Sequence, residues 1–266
     1  MYLSPTDSFP KAKAAAMKAL ELDDTLAEAH AALAYAEFFE WDWQSAEREF
    51  KRAIELNPNS ALSHTRYAEC LVARLRFNES VAQALEAQEL DPLSPAIVSG
   101  LGSNQFMARK YDDSIAELQK ALDLNPNIPV LRAMLGSSYA MKHMYSQALA
   151  EYDKIPDQDK AVAPENQFVA GTLGWLYAIS GRRSDALKIA QQFKELSAQA
   201  YVDFYWPAVI YAGLGDKDET FRLLEKSYLE HSASLPYFAV APFWYGLHSD
   251  PRYADLLSRL GLPQPE

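Results

Sequence analysis

AIELNP (53–58), AQELDP (87–92) and ALDLNP (121–126) are three copies of one phrase, and a degenerate copy, ALELDD, occupies residues 19–24. The three prolines that end the good copies, Pro58, Pro92 and Pro126, lie 34 residues apart. A fixed period of this length is typical of repeat arrays, whose units each bury one face and stack on their neighbours. The period therefore predicts a solenoid, and a solenoid favours recognition over catalysis as the function.

The composition agrees with an ordered repeat protein. Of the 266 residues, 49% are hydrophobic and 12% aromatic, which argues against a disordered acidic chain. The net charge of −11 and the lack of a clustered Lys/Arg face argue against nucleic acid as a partner. The only cysteine, Cys70, lies on an apolar helix face, so we expect it to be a buried small hydrophobe.

Targeting features are missing from the sequence. No apolar run approaches the length of a membrane span, and the first 20 residues lack the apolar core of a signal peptide. The sequence predicts a soluble segment in the cytoplasm. Placement outside the cytoplasm, as part of a membrane-anchored parent protein, stays open.

The hydrophobic pattern is helical throughout. Apolar residues recur at steps of three and four, and no alternating strand pattern persists. From residue 27 the pattern predicts a helix of about 13 residues, a short break, a second helix of similar length and an Asn-Pro or Asp-Pro stop. We therefore predict an all-α fold, an α-solenoid of helix-turn-helix units that forms a right-handed superhelix.

Small residues recur where two helices must approach closely. In the first helices a small residue follows a large one, at Ala34, Ala68, Gly102, Gly136 and Gly174. In the second helices a small residue comes early, at Ala46, Ala148 and Ala186, and another comes shortly before the proline, at Ala53, Ala87 and Ala121. The arrangement, seen best in ALAYAEFFEWDWQSAEREFKRAIELNP and LGSSYAMKHMYSQALAEY, resembles the tetratricopeptide repeat (TPR). The resemblance covers nearly the whole chain.

The repeat register predicts the domain organisation. Units begin at 27, 61, 95, 129, 167 and 201, and the 38-residue fifth step places a longer loop at 155–165. We expect one continuous solenoid domain: a half repeat over 1–26, four units over 27–160, two units over 161–234, and an aromatic cap with a C-terminal helix over 235–266. The half repeat suggests either excision from a longer protein or a capping role for MYLSPTDSFP.

The C-terminal end differs in composition. SLPYFAVAPFWYGLH contains Tyr237, Phe238, Phe243, Trp244 and Tyr245, which we expect to cover the last repeat, with a functional patch as the alternative. The final helix begins at Asp250-Pro251 and ends at Gly261. This ending resembles the C-terminal TPR regions of bacterial multidomain proteins that carry kinase, winged-helix or cyclase domains, and the resemblance implies a signalling context.

Catalytic and metal-binding motifs are missing. The sequence has no GxSxG elbow, no HExxH and no glycine-rich phosphate loop. His30 and His64 occupy equivalent repeat positions and could be neighbours, but the next equivalent residue is Val98, so we expect core histidines rather than a metal site. No enzyme activity, cofactor or metal is expected. Trp43 is expected to pack, and Trp41 is a candidate exposed anchor.

The concave surface is the predicted binding site. In stacked helix pairs the first helices line the inner wall, and the residues we expect to bind a partner are Tyr35, Phe38, Phe39, Glu69, Phe106, Met107, Met141, Phe168, Trp175 and Tyr205. Smaller inward residues are Thr65, Val72, Ser99, Ser103, Ala133, Ser137 and Ile179. Because the groove lacks the Lys, Arg and Asn set that chaperone-binding TPR domains use, a chaperone tail is disfavoured.

These observations lead to two hypotheses for the function, which belong to different classes. The first is a non-enzymatic scaffold that binds a helix or an extended, apolar or aromatic protein segment in the groove, within a larger bacterial signalling or regulatory protein. The second is a sensory domain that binds a small apolar ligand and regulates an attached effector. The partner, the effector and the oligomeric state are open.

Overall fold

The computed structural model describes residues 5–265, and all regular secondary structure in that range is helical. The all-α prediction is confirmed. After α1 (Pro5–Leu22), the first four pairs are α2 (Ala27–Phe39) with α3 (Trp43–Leu56), α4 (Ala61–Ala73) with α5 (Phe77–Leu90), α6 (Pro95–Met107) with α7 (Tyr111–Leu124), and α8 (Pro129–Met141) with α9 (Tyr145–Asp153).

The second part of the chain contains the remaining helices. They are the short α10 (Asp157–Lys160), the pair α11 (Gln167–Ile179) and α12 (Arg183–Leu196), the pair α13 (Tyr205–Gly213) and α14 (Lys217–Leu229), two 3₁₀ helices (Leu235–Tyr237 and Pro242–Leu247), and α15 (Pro251–Leu260). The first helices of successive pairs also pack on one another, α4 on α6 and α11 on α13, so the pairs stack into a solenoid.

One left-handed residue reverses the chain inside each pair. Positive φ angles between 59° and 84° occur at Trp41, Leu75, Arg109, His143, Gly181 and Gly215. A positive φ costs a residue with a Cβ about 1–2 kcal/mol, so the packing of each pair must offset that cost at the four non-glycine positions. These residues lie 34 apart except for the step of 38 between His143 and Gly181, which contains α10 and the linker that follows it.

The small residues of the repeat allow close helix contacts. Ala34, Ala46 and Ala53 have no exposed surface. A Cβ atom built on Gly174 would lie 2.6 Å from Cδ1 of Ile210. The Ile210 side chain of α13 therefore packs directly on the Gly174 backbone of α11, in space that a Cβ atom at residue 174 would need.

The N-terminal helix is longer than expected. Residues 5–10 of the stretch considered as a separate cap continue directly into α1, while residues 1–4 lie outside the described range. Phe9, from that stretch, stacks on Phe39 with ring centroids 4.4 Å apart. α1 therefore packs on α2 in the same way that the second helix of each pair packs on the first helix of the next pair.

The two ends of the solenoid meet. Trp43 Nε1 donates a hydrogen bond to the carbonyl oxygen of Leu260 at 2.9 Å. Trp41 stacks on His231 at 4.2 Å and on Tyr228 at 5.2 Å. Neither tryptophan is an exposed anchor, because both pack on the last part of the chain.

Candidate binding groove

The interior of the solenoid is occupied by residues 232–247, which we name the C-terminal segment. Within this segment, the centroid of the Phe243 ring lies 4.9 Å from that of Trp175 and 6.2 Å from that of Phe106. Tyr237 lies 5.8 Å from Phe38, between centroids. The segment thus crosses the groove from α2 to α11 and contacts predicted groove residues at each step.

The same segment covers the last complete pair and reaches back across the array. Trp244 packs edge-on against Tyr205 at 5.1 Å, and its Nε1 donates to the Tyr205 hydroxyl at 3.2 Å. The Tyr245 hydroxyl lies 3.3 Å from that of Tyr111, and the guanidinium of Arg109 lies 4.6 Å from the Tyr245 ring. The aromatic stretch therefore covers α13, as a cap of the last repeat would, and also reaches the turn before α7.

A buried carboxylate anchors the beginning of the C-terminal segment. Asp203 accepts hydrogen bonds from the hydroxyls of Ser232 at 2.6 Å and Ser234 at 2.7 Å, and from the Tyr205 N–H at 3.1 Å. Burial raises the pKa of Asp203, and the two serine hydrogen bonds oppose that rise. The Asp203 N–H in turn donates to Gln167 Oε1 at 2.7 Å, which links the segment to α11.

Burial separates the ten predicted partner-binding residues into two groups. Five are buried, with at most 7% of their surface exposed, and they are Phe38, Phe39, Phe106, Trp175 and Tyr205. The other five are half-buried, and they are Tyr35, Glu69, Met107, Met141 and Phe168. Only the second group is accessible to a partner while the C-terminal segment is in place.

A cavity of about 220 Å³ remains between the inner wall and the C-terminal segment. The wall contributes Ser103, Phe106, Met107, Met134, Ser137, Phe168, Tyr205 and Trp206. The segment contributes Ala233, Ser234, Tyr237 and Phe243. Four of the predicted partner-binding residues, Phe106, Met107, Phe168 and Tyr205, are thus brought together from three helices around one space.

A polar patch lies at the other end of the groove, on α2 and α4. The guanidinium of Arg66 sits over the Tyr35 ring at 3.7 Å, and its Nη1 is 3.5 Å from Glu69 Oε2. That oxygen is enclosed and accepts no hydrogen bond among the described residues. Burial raises the pKa of Glu69 to about 7, with Arg66 acting in the opposite direction.

The paired histidines have structural partners. His30 contacts Glu49 at 2.7 Å and the Asp24 carbonyl at 3.0 Å. His64 makes the equivalent contacts one repeat later, with Gln83 at 2.7 Å and the Pro58 carbonyl at 2.9 Å. Each histidine joins the two helices of its own pair to the preceding turn.

Arg132 occupies the equivalent position two repeats after His64 and likewise joins its helix pair to the preceding turn. It donates to Glu151 at 3.0 Å and to the Pro126 carbonyl at 2.8 Å. Since an arginine replaces histidine at this position, the position serves the repeat rather than a metal. Within residues 5–265 there is no group of three or more His, Cys, Asp or Glu side chains placed to hold a metal ion.

The occupant of the groove was not predicted from the sequence. The aromatic composition of SLPYFAVAPFWYGLH marked it as unusual, but the repeat period carries no information about which distant units it contacts. Trp206 and Tyr237 were not assigned to the groove, although both line the cavity. Across residues 5–265 the helices are either too short or too polar to cross a membrane.

Comparisons with known proteins give the fold. No family model matches the chain, and no curated protein matches it. PilF of Pseudomonas aeruginosa is similar in structure, with 25% sequence identity and a TM-score of 0.55, over 73% of this chain and 87% of that one.

Two further solved structures are similar. PilW, described as a widely conserved type IV pilus biogenesis factor, has 19% identity and a TM-score of 0.59, over 73% of this chain and 89% of that one. YrrB, described as a TPR protein with an unusual peptide-binding site, has 18% identity and a TM-score of 0.46, over 79% and 98%. The helix pairs and the likeness to PilF and PilW establish that this chain is an α-solenoid with a TPR-like fold.

Proposed function

We propose that this chain is a non-enzymatic protein-interaction module that binds a helix or an extended protein segment along its concave groove. The observation that carries the proposal is the seating of Phe243 against Phe106 and Trp175. The groove walls are thus complementary to an aromatic-rich segment, since they already hold one, which contains two short 3₁₀ helices. An aromatic segment of a partner would make the same kind of ring–ring contacts with these walls.

The accessible part of the groove is where a partner would dock with the C-terminal segment in place. Tyr35, Glu69 and Phe168 are half-buried and lie at its two ends. Phe168 offers aromatic surface at one end, and at the other end Tyr35 lies under the Arg66 guanidinium, which is 3.5 Å from Glu69. We therefore propose a partner with apolar or aromatic anchors. The net charge of −11 makes nucleic acid a poor partner.

The larger context is also a proposal. The ending of the sequence resembles TPR regions of bacterial multidomain proteins, so we propose that the module belongs to a larger signalling or regulatory protein. The peptide-binding site described for YrrB is a property of that protein and does not identify a partner for this chain.

A pull-down from the native host followed by an affinity measurement tests the proposal. A protein retained by the wild type should bind at least about 5-fold more weakly to Tyr35→Ala and Phe168→Ala, because a truncated interface anchor costs more than about 1 kcal/mol. Leu187→Ala, on the outer helix α12, is the matched control and should bind like the wild type. Unchanged affinity for both groove variants would reject the groove as the binding site.

The second candidate is a sensory domain that binds a small apolar ligand. The observation that favours it is the cavity that lies between the groove wall and the C-terminal segment. A ligand there would contact both surfaces at once. Its occupancy would then change how firmly the segment is held, and that change could be passed to an attached effector.

A further inference from the structure

The cavity beneath the C-terminal segment is walled on both sides by this chain. Phe106, Met107 and Phe168 belong to the inner wall, whereas Ser234, Tyr237 and Phe243 belong to the segment. The segment is fixed at one end by the serine hydrogen bonds to Asp203 and further on by Phe243 against Trp175. This covering favours a small molecule over the side chain of a protein partner.

The lining of the cavity is neutral. None of its residues is an Asp, Glu, Lys, Arg or His. Burial raises the pKa of Tyr237 far above its usual range, so its phenol stays protonated at physiological pH. The nearby carboxylate of Asp203 already accepts hydrogen bonds from Ser232, Ser234 and Tyr205. A charged ligand would lose its hydration without gaining a counter-charge, so the lining selects a neutral one.

The walls suit a ring. Aromatic side chains line the cavity from both sides, and they favour edge-on or offset contacts with another ring. Met107 and Met134 add flexible thioethers that adjust to the shape of a ligand and contact aromatic groups favourably. A dry apolar cavity of about 150 Å³ is known to bind benzene. The 220 Å³ here therefore holds one ring with a few further atoms.

Polar groups without a partner remain in the lining, and they include the hydroxyl of Ser103 together with the Tyr237 hydroxyl and the Trp206 indole N–H, none of which is hydrogen-bonded to another residue within 5–265. The hydroxyl of Ser137, by contrast, donates to the Ala133 carbonyl at 2.9 Å. A hydroxyl has one donor and two acceptor positions. A ligand with a single hydroxyl or carbonyl group could therefore satisfy Ser103 while its ring contacts the aromatic walls.

From these observations we propose that the cavity binds a neutral small molecule with one ring-sized apolar body and one hydrogen-bonding group. The proposal rests on the second candidate function and names its class of ligand. Because the molecule would contact the wall and the C-terminal segment together, its binding would stabilise, by mass action, the arrangement in which the segment lies in the groove.

Methyl-labelled methionine in the full chain gives a site-resolved test. Met107 and Met134 line the cavity, and Met17, on α1, is 49% exposed and serves as the internal control. 4-Methylphenol, toluene and 4-methylbenzoate are the probes. We expect saturable methyl shifts at Met107 and Met134 with the first two probes, none at Met17, and no binding of the benzoate.

Variants of Ser103 test the polar contact. A neutral hydrogen bond contributes about 2- to 10-fold in affinity, so 4-methylphenol should bind that much more tightly than toluene in the wild type. Ser103→Ala should remove this advantage, and Ser103→Leu should fill the cavity and abolish the shifts. If Ser103→Leu misfolds, Ser103→Ala still decides, since it only deletes the hydroxyl.

Three results would overturn the proposal. They are no saturable shift at Met107 and Met134 with either neutral probe, equal shifts at Met17, and shifts at the two cavity methionines only with an aromatic peptide. The last would assign the cavity to a partner side chain. Protein retention in the pull-down is independent of these shifts, so the ligand proposal and the scaffold proposal fail separately.

Discussion

Trp43 Nε1 donates a hydrogen bond to the carbonyl oxygen of Leu260 at 2.9 Å, across 217 residues of sequence. The contact joins the first complete helix pair to the last helix, and Gly261 packs against the same indole. The solenoid is therefore closed by its own C-terminal end, and its stability should depend on this contact.

Trp43→Phe tests the closure. The substitution keeps an aromatic ring and deletes the donor, so the buried carbonyl of Leu260 loses its partner and the free energy of unfolding should fall by about 1–3 kcal/mol. Trp41→Phe is the control, because the buried Nε1 of Trp41 has no acceptor among the described residues. Denaturant unfolding should show the larger loss for Trp43→Phe, and equal losses would contradict a role for the hydrogen bond.

Glu69 should make stability depend on pH. Its pKa in the folded protein is raised to about 7 from an ordinary 4.5, so the folded state binds the proton more tightly than the unfolded state. The stabilisation is complete below about pH 4.5 and is lost as the pH rises through 7. Between pH 5 and 8 we expect the wild type to lose about 2 kcal/mol through this group.

Glu69→Gln should remove that part of the pH dependence, because glutamine does not titrate. The neighbouring charge is Arg66, and Tyr237 stays neutral over this range, so neither adds a slope. Urea midpoints at pH 5 and pH 8 are the measurement. A variant whose midpoint falls as steeply as that of the wild type would show that Glu69 is not the group responsible.

Ala46→Leu tests the helix contacts within the repeats. Ala46 has no exposed surface, so a larger side chain should overpack the contact and lower stability by about 1–3 kcal/mol. Ala14→Leu, on the exposed face of α1, is the matched control and should leave stability unchanged within about 0.5 kcal/mol. Equal melting temperatures for the wild type and Ala46→Leu would refute the packing.

Asp203→Ala should loosen the C-terminal segment selectively. It removes the acceptor of the Ser232 and Ser234 hydroxyls, so both lose the carboxylate to which they donate. Hydrogen exchange over residues 232–247 should become faster, while exchange in α4 and α6 should not change. Uniformly faster exchange would indicate that Asp203 supports the whole fold instead of anchoring this segment.

The repeat was predictable from sequence because its determinants are local and periodic. Residues such as Ala46, Ala53 and Pro58 recur in register, and the helix pairs follow from them. The beginning of α13 was not predictable. It begins at Tyr205, four residues after the expected unit start at 201, and Asp203 in the preceding loop is held by Gln167 from another unit.

The groove was predictable in part. Helical spacing assigned Phe106, Phe168 and Tyr205 to the inner wall, and all three line the cavity. The spacing could not indicate that Phe243 enters the same groove, because that contact joins residues 68 positions or more apart. Such contacts depend on the curvature of the whole array, which no single repeat encodes.

Nuclear Overhauser measurements test the central claim, that the chain's own C-terminal segment occupies the groove, most directly. Cross-peaks are expected between the Phe243 and Trp175 rings, and between the Trp43 indole proton and the α protons of Gly261. Random-coil shifts for residues 232–247, with neither set of cross-peaks present, would contradict the claim.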